Sequence, residues 1–189
     1  MKKIALSLLF ALLAVSTRAQ NDTGSVDFIR AIVHSDEKIV YTDSIGDYTI
    51  SFIKEGLHRS DIYNSPKIKA NRRFPAFTAE EKRYINKELN KMQMYTWRDS
   101  LLSNYLLIKQ DTINAIFKNG VFDGWGYFNS HFGEGFYNFS KPIFLRNHTI
   151  CIFYKGYSCG HLCGEGDLTI YVKKNGKWIA KYRLGSWIS

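Results

Sequence analysis

The chain is 189 residues long, 45% hydrophobic and 15% aromatic, with a formal net charge of +9. So many rings exclude a disordered chain, and the length suits one domain with a proper core. Lys2, Lys3 and Arg18 fall in the first 19 residues, which hold no acid, so residues 20–189 carry only +6. A charge of that size suits solubility and gives no reason to expect a nucleic-acid partner.

The first 19 residues read as an export signal. Lys2 and Lys3 form a basic start, and Ile4 to Val15 is an apolar run broken only by Ser7. Thr17 and Ala19 place small residues at −3 and −1, so cleavage is expected before Gln20. The run is shorter than the roughly 20 apolar residues of a membrane span, and no cysteine follows it for lipid attachment. The expectation is a secreted or periplasmic protein without stable membrane insertion after cleavage, with one domain over residues 20–189.

After the polar leader Asn21 to Gly24, the segment Val26 to His34 fits a short helix or a strand, and periodicity does not decide between them. Lys38 to Tyr41 and Tyr48 to Lys54 read as two strands around a polar turn, with Ile50 and Phe52 alternating with Thr49 and Ser51. Gly56 to Pro75 loses periodicity and gains Lys67, Lys69, Arg72 and Arg73, which predicts a connecting loop. Thr78-Ala79-Glu80-Glu81 is a capping-box pattern, and behind it Tyr84, Ile85, Leu89 and Met92 share one helical face. A second cluster, Trp97, Leu101, Leu102 and Tyr105, also fits helical spacing, with a short strand over Leu106 to Ile108. Asp111 is placed to cap a helix over Thr112 to Phe117, closed by Asn119-Gly120. The helical part is thus expected over about 78–119.

Between Val121 and Phe139, eight aromatic residues alternate with Gly124, Gly126, Gly133 and Gly135. The first expectation is an irregular segment pinned to a sheet by its rings; the second is a pocket lining for a sugar or peptide. From about 139 to 189 the pattern is a β-meander: strands at Pro142 to Leu145, Thr149 to Lys155, Leu168 to Lys173 and Lys177 to Leu184. Asn175-Gly176 marks a type I′ hairpin, which needs positive φ at both positions. Leu168, Ile170 and Val172 are expected on one face, and Trp178, Ala180, Tyr182 and Leu184 together on another. The fold class is α+β, a C-terminal antiparallel meander packed against one long helix and one or two short ones.

The stretch KPIFLRNHTICIFYKGYSCGHLCGEGDLTIYVKKNGKW, closing with GSWIS, resembles the C-terminal part of a group of small exported bacterial proteins without an assigned activity. The resemblance is close over residues 139–189 and loose over 76–189. It rests on the CG-x-LC-G-x-G segment and the NGKW hairpin. It implies export and an α+β fold, and brings no catalytic residues with it.

The densest local chemistry is Cys159-Gly160-His161-Leu162-Cys163-Gly164-Glu165-Gly166. Outside the reducing cytosol, Cys159 and Cys163 are expected to form a disulfide, worth about 2 kcal/mol on the chain-entropy estimate for so small a loop. Their spacing is neither C-x-x-C nor the haem-attachment pattern, so a thiol-disulfide role ranks as a second alternative. Zinc would need both cysteines, His161 and a distant ligand such as His131 or His148, and three ligands within five residues make an awkward tetrahedron. No metal and no cofactor is expected. Cys151 is expected as a buried thiol beside Phe153.

For catalysis, His131 or His161 would serve as base, Ser130 or Cys159 as nucleophile, and Glu134 or Glu165 as orienting acid. A carboxylate pair would be Glu134 with Glu165 or Asp123. No nucleophile-elbow motif accompanies these residues. The first reading is therefore a non-enzymatic binding or interaction protein for a small molecule, glycan or protein at the cell envelope. Its ligand surface would use Trp125, Tyr127, Phe132, Tyr137, His161 and Glu165. The alternative is an exported hydrolase acting on cell-surface glycan or peptide through His161, His131 and nearby carboxylates.

Overall fold

The computed structural model describes residues 23–33, 38–60, 76–98, 105–118 and 120–189. The export-signal stretch over residues 1–19, the basic cluster Lys67 to Arg73, and Leu101 and Leu102 lie outside the described residues. The ambiguous N-terminal segment is a helix, α1, over residues 23–32. It is followed by β1 (Ile39–Thr42), α2 (Asp47–Arg59), α3 (Ala79–Lys91), a 3-10 turn (Met92–Met94) and β2 (Tyr105–Ile108). Next come α4 (Gln110–Ile116), α5 (Val121–His131), β3 (Phe136–Phe139) and β4 (Ile143–Leu145). Three long strands finish the chain: β5 (Ile150–Gly160), β6 (Cys163–Lys174) and β7 (Lys177–Ile188). The fold is α+β as expected. No helix among the described residues is long and apolar enough to cross a membrane.

The seven strands among the described residues belong to one sheet, ordered β2-β1-β3-β5-β6-β7, with β4 paired to β5 beyond the end of β3. The C-terminal strands form the antiparallel meander, and β1 extends it by running parallel to both β2 and β3. β5 is central, so its two faces are both apolar: Ile150, Ile152 and Tyr154 pack under α2 and α3, while Cys151 and Phe153 pack under α1. Cys151 is fully buried near Phe153, and burial holds its thiol pKa well above the ordinary value. A third cluster joins α4 and α5 to the far end of the sheet through Val40, Ile113, Phe128 and Phe136.

Three local expectations are corrected. Tyr48 to Lys54 is not a strand but the start of α2, because Ile50, Ile53 and Leu57 recur at helical spacing and are all buried. The alternation of Ile50 and Phe52 satisfied a strand pattern over seven residues and failed only when the window was extended. Asp111 does not cap α4; it lies within the first turn. The Asp43 carboxylate instead accepts from the Gln110 N–H at 2.9 Å, across 67 residues of chain. The glycine-aromatic segment is not irregular: most of it is α5 and β3. Gly120, at φ +134, starts the helix in a conformation that an L side chain rarely adopts.

The expected helical cluster is not kept either, since Trp97 lies outside any helix and Tyr105 begins β2. The loop expected from Gly56 does not start before Arg59, where α2 ends. One cap signal and one turn signal took the form expected of them. Thr78 and Glu81 form the reciprocal capping box, and Asn175 and Gly176 both have positive φ at the β6–β7 turn. Tyr84 departs from its predicted face and is 43% exposed, whereas Glu88 turns inward. β7 also breaks the expected sharing of a face. Lys181 and Leu184 are extra residues opposite β6, so Trp178 packs with the α1 cluster while Tyr182 and Leu184 pack under α2. A bulge resets which face later residues occupy.

Two ion pairs tie α3 to the meander. Arg146 donates from Nε to Glu81 Oε1 at 2.6 Å and from Nη2 to Oε2 at 3.0 Å. Glu88 accepts from Lys91 at 2.6 Å and from Lys141 at 3.2 Å. The Arg146 hydrogen bond lowers the Glu81 pKa below 4.5. Burial opposes ionisation of Glu88, but Lys91 and Lys141 together outweigh it and lower that pKa too. A carboxyl depressed in the folded state stabilises above its unfolded pKa, and that contribution is lost as pH falls through the folded value. Melting followed by circular dichroism should therefore hold steady down to about pH 5 and fall increasingly below about pH 4.5. Arg146→Met should flatten the acid loss, and an unchanged profile in that variant would remove Glu81 from the account.

Candidate functional site

The CGHLCGEG stretch is not a loop between strands but the tip of the β5–β6 hairpin. Gly160 pairs with Cys163, leaving His161 and Leu162 as the two-residue turn. The register shifts between Ser158 and Gly160, so Cys159 is an extra residue in β5. That bulge re-aims its side chain toward the Cys163 side, and the two form a disulfide with Cα atoms 5.0 Å apart. A bulge and a crosslink at the same point fix the tip.

Below the tip, one face of the hairpin is almost bare, with three glycines and only the small Ser158 side chain on it. Gly156 stands opposite Gly166, and Ser158 opposite Gly164. Trp187 of β7 lies over Gly164 and Gly166 and donates from Nε1 to Tyr154 Oη at 3.1 Å. A Cβ on Gly166 would come 2.6 Å from Trp187 Cε2 and 2.7 Å from Tyr154 Oη. These glycines make room for an indole. Burial raises the Tyr154 pKa, and its phenol accepts the indole proton as a neutral group.

Across from Trp187 stands α5. Trp125 is held by Phe117 at 5.0 Å, Phe128 at 5.6 Å and, stacked at 21°, Phe136 at 5.8 Å. Phe117 also packs against Gly124, where a Cβ would meet its ring. Between the two indoles lies a cleft of about 290 Å³. Phe117, Val121, Trp125 and Phe136 form one wall, and Ser158, Gly160, Cys163 and Gly164 the hairpin wall; Trp187 and Ser189 close it. On the rim the His161 ring lies 4.7 Å from that of Phe122, which is 75% exposed, and Leu162 beside it is 78% exposed.

The six residues expected to share a ligand surface do not share one. Trp125 lines this cleft and His161 borders it. Tyr127 and Phe132 line a separate groove of about 530 Å³ between α4 and α5, together with Asp123. Tyr137, Glu134 and Phe132 line a third cavity. Glu165 alternates with Gly164 and Gly166 and so faces away from the cleft, near Tyr137. Sequence reasoning missed Trp187, Phe117, Phe136 and the two serines. Gly164 and Gly166 at i and i+2 were the available signal, since a strand face without side chains leaves room for a ring from elsewhere.

The residues expected to serve catalysis do not converge either. His161 rests on Phe122 at the start of α5 and His131 stacks on Tyr127 near its end. Phe122 and His131 are separated by about 13 Å of helix axis. Ser130 Oγ and His131 Nδ1 are 2.9 Å apart, but Nδ1 also lies 2.8 Å from the Tyr127 carbonyl. That carbonyl can only accept, so Nδ1 carries the proton and cannot draw one from Ser130. Among the described residues, no three His, Cys, Asp or Glu side chains are grouped to hold a metal ion. Compared with family models, with curated proteins and with solved structures, the chain matches none.

Proposed function

We propose that this is an exported, non-enzymatic binding protein whose ligand enters the cleft between Trp125, the disulfide-braced hairpin tip and Trp187. One observation carries the reading: the two chemically unusual stretches, Val121 to Phe139 and Cys159 to Gly166, converge on an aromatic-walled cleft. Its side-chain hydroxyls are those of Ser158 and Ser189, and the indole N–H of Trp187 is already given to Tyr154. Such a lining suits an apolar or aromatic group oriented by one or two hydrogen bonds. At about 290 Å³ the space admits one ring or a short acyl chain and leaves the rest of the ligand over the exposed Phe122–Leu162 rim. Export is supported by the leader-like first 19 residues, by the resemblance to small exported bacterial proteins, and by a disulfide at an accessible tip.

The test is an NMR titration of the purified protein with phenols, short acyl amides and cell-wall muropeptides, following the indole N–H signals. Saturable shifts at Trp125 and Trp187, abolished by Trp125→Ala, are expected. Shifts confined to other tryptophans would refute the assignment of the site. Turnover of any of these compounds that His161→Ala removes would replace binding by catalysis.

A further inference from the structure

We propose a second binding site, on the other side of β3 and β5, that takes a neutral hydroxylated ring such as one sugar unit of a glycan. Successive residues of these strands point to opposite faces, so Phe136 and Ser158 line the cleft while Tyr137 and Tyr157 turn away from it. There, Tyr137, Tyr157, Lys38, Glu134 and the Gly133–Gly135 backbone enclose a cavity of about 350 Å³. That is the lower end of the range for small-molecule sites, about 300–1,000 Å³.

The lining selects the ligand class. The two phenol rings are 4.6 Å apart and tilted by 37°, an aromatic floor for the C–H face of a ring. Burial, then the neighbouring Tyr157 and Glu165, raise the Tyr137 pKa, so its hydroxyl stays protonated and can donate. Lys38 supplies donors only and Glu134 acceptors only. Their charges cancel, and Glu165 near Tyr137 leaves none of the positive excess that a phosphate or carboxylate ligand would need. Lys38 in turn opposes an organic cation. A neutral ligand with both donors and acceptors remains.

The loop carrying Glu134 is shaped for this position. Gly133 has φ +131, a conformation that side chains rarely adopt. A Cβ on Gly135 would come 2.5 Å from the Ser158 carbonyl oxygen and 2.7 Å from Tyr157 Oη. Gly135 brings bare backbone close to Tyr157, and Gly133 supplies the turn before it; both add main-chain groups to the cavity wall.

This cavity is separate from the cleft and is tested with different probes. Saturation-transfer NMR and calorimetry would use the methyl glycosides of glucose, galactose, mannose and N-acetylglucosamine. At least one is expected to bind saturably, with Tyr157→Ala weakening it about tenfold or more. Because Tyr157 packs on Tyr137, Glu134→Gln at an exposed position is the second variant. Removing the charge from one hydrogen-bond acceptor should weaken binding about tenfold. Trp125→Ala should leave glycoside affinity unchanged. Saturation transfer to none of the four, or affinity unchanged in both Tyr157→Ala and Glu134→Gln, would overturn the site. Loss in Trp125→Ala alone would move the sugar to the cleft.

Discussion

Phe28→Ala is expected to destabilise the protein by about 3–5 kcal/mol, the range for removing a large buried ring. Phe28 is 1% exposed and is the point at which α1 enters the sheet. It meets Phe144 of β4, Phe153 of β5, Tyr171 of β6 and Trp178 of β7, all edge-on at 5.0–5.8 Å. One ring therefore touches four strands. Edge-to-face pairs add roughly 0.5–1.5 kcal/mol each beyond area burial, though not additively. The socket walls are themselves rings held by neighbouring strands and cannot collapse into the space, so the cavity term stays large. Urea unfolding is the measurement: the midpoint should drop with little change in slope, and melting should fall by about 6–20 °C. A loss under about 1 kcal/mol would mean that α1 is not docked through this ring.

Gly166→Ala should cost about 1–3 kcal/mol, the usual penalty of overpacking, and should also remove binding in the cleft. The new methyl group meets Trp187 on one side and Tyr154 Oη on the other, and neither is the free end of a flexible chain. Tyr154 is buried under α2, with its ring 5.8 Å from that of Phe52. The indole is then the group that moves. It leaves its hydrogen bond to Tyr154 and opens the cleft wall it formed. Trp187 emission should shift to the red and the saturable NMR shifts should vanish, while glycoside affinity should persist.

Gly126→Ala is the matched control, because nothing lies within 4 Å of the added Cβ in the middle of α5. It should stabilise by up to about 1 kcal/mol through helix propensity alone. If both substitutions were neutral, the glycines under Trp187 would not be there to make room for it.

The two glycines also show where sequence and fold part company. Local patterns sufficed wherever the deciding contacts were within a few residues. The Thr78–Glu81 capping box starts α3, Asn175-Gly176 turns the last hairpin, and the Cys159/Cys163 spacing closes a crosslink at one tip. Each depends on backbone geometry that neighbouring residues impose on one another. α2 was misread because seven residues of alternation serve a strand and a helix equally until Leu57 is included. α5 was misread because glycine lowers helix propensity, and only Phe117 against Gly124 shows why one of its glycines is needed.

The amino-acid sequence by itself determined the class of the fold, its C-terminal meander, its best-capped helix and the segments from which a site would be built. Tertiary structure alone decided how those segments combine. β1 and β2 join the sheet in parallel across long separations, which no local pattern encodes. Bulges at Cys159, Lys181 and Leu184 reset the faces of the strands that carry them. Strand side chains alternate every residue, so one inserted residue sends everything after it to the other side of the sheet. Alternation also puts Gly164 beneath the cleft and its neighbour Glu165 on the opposite face, with the thickness of the sheet between residues adjacent in sequence.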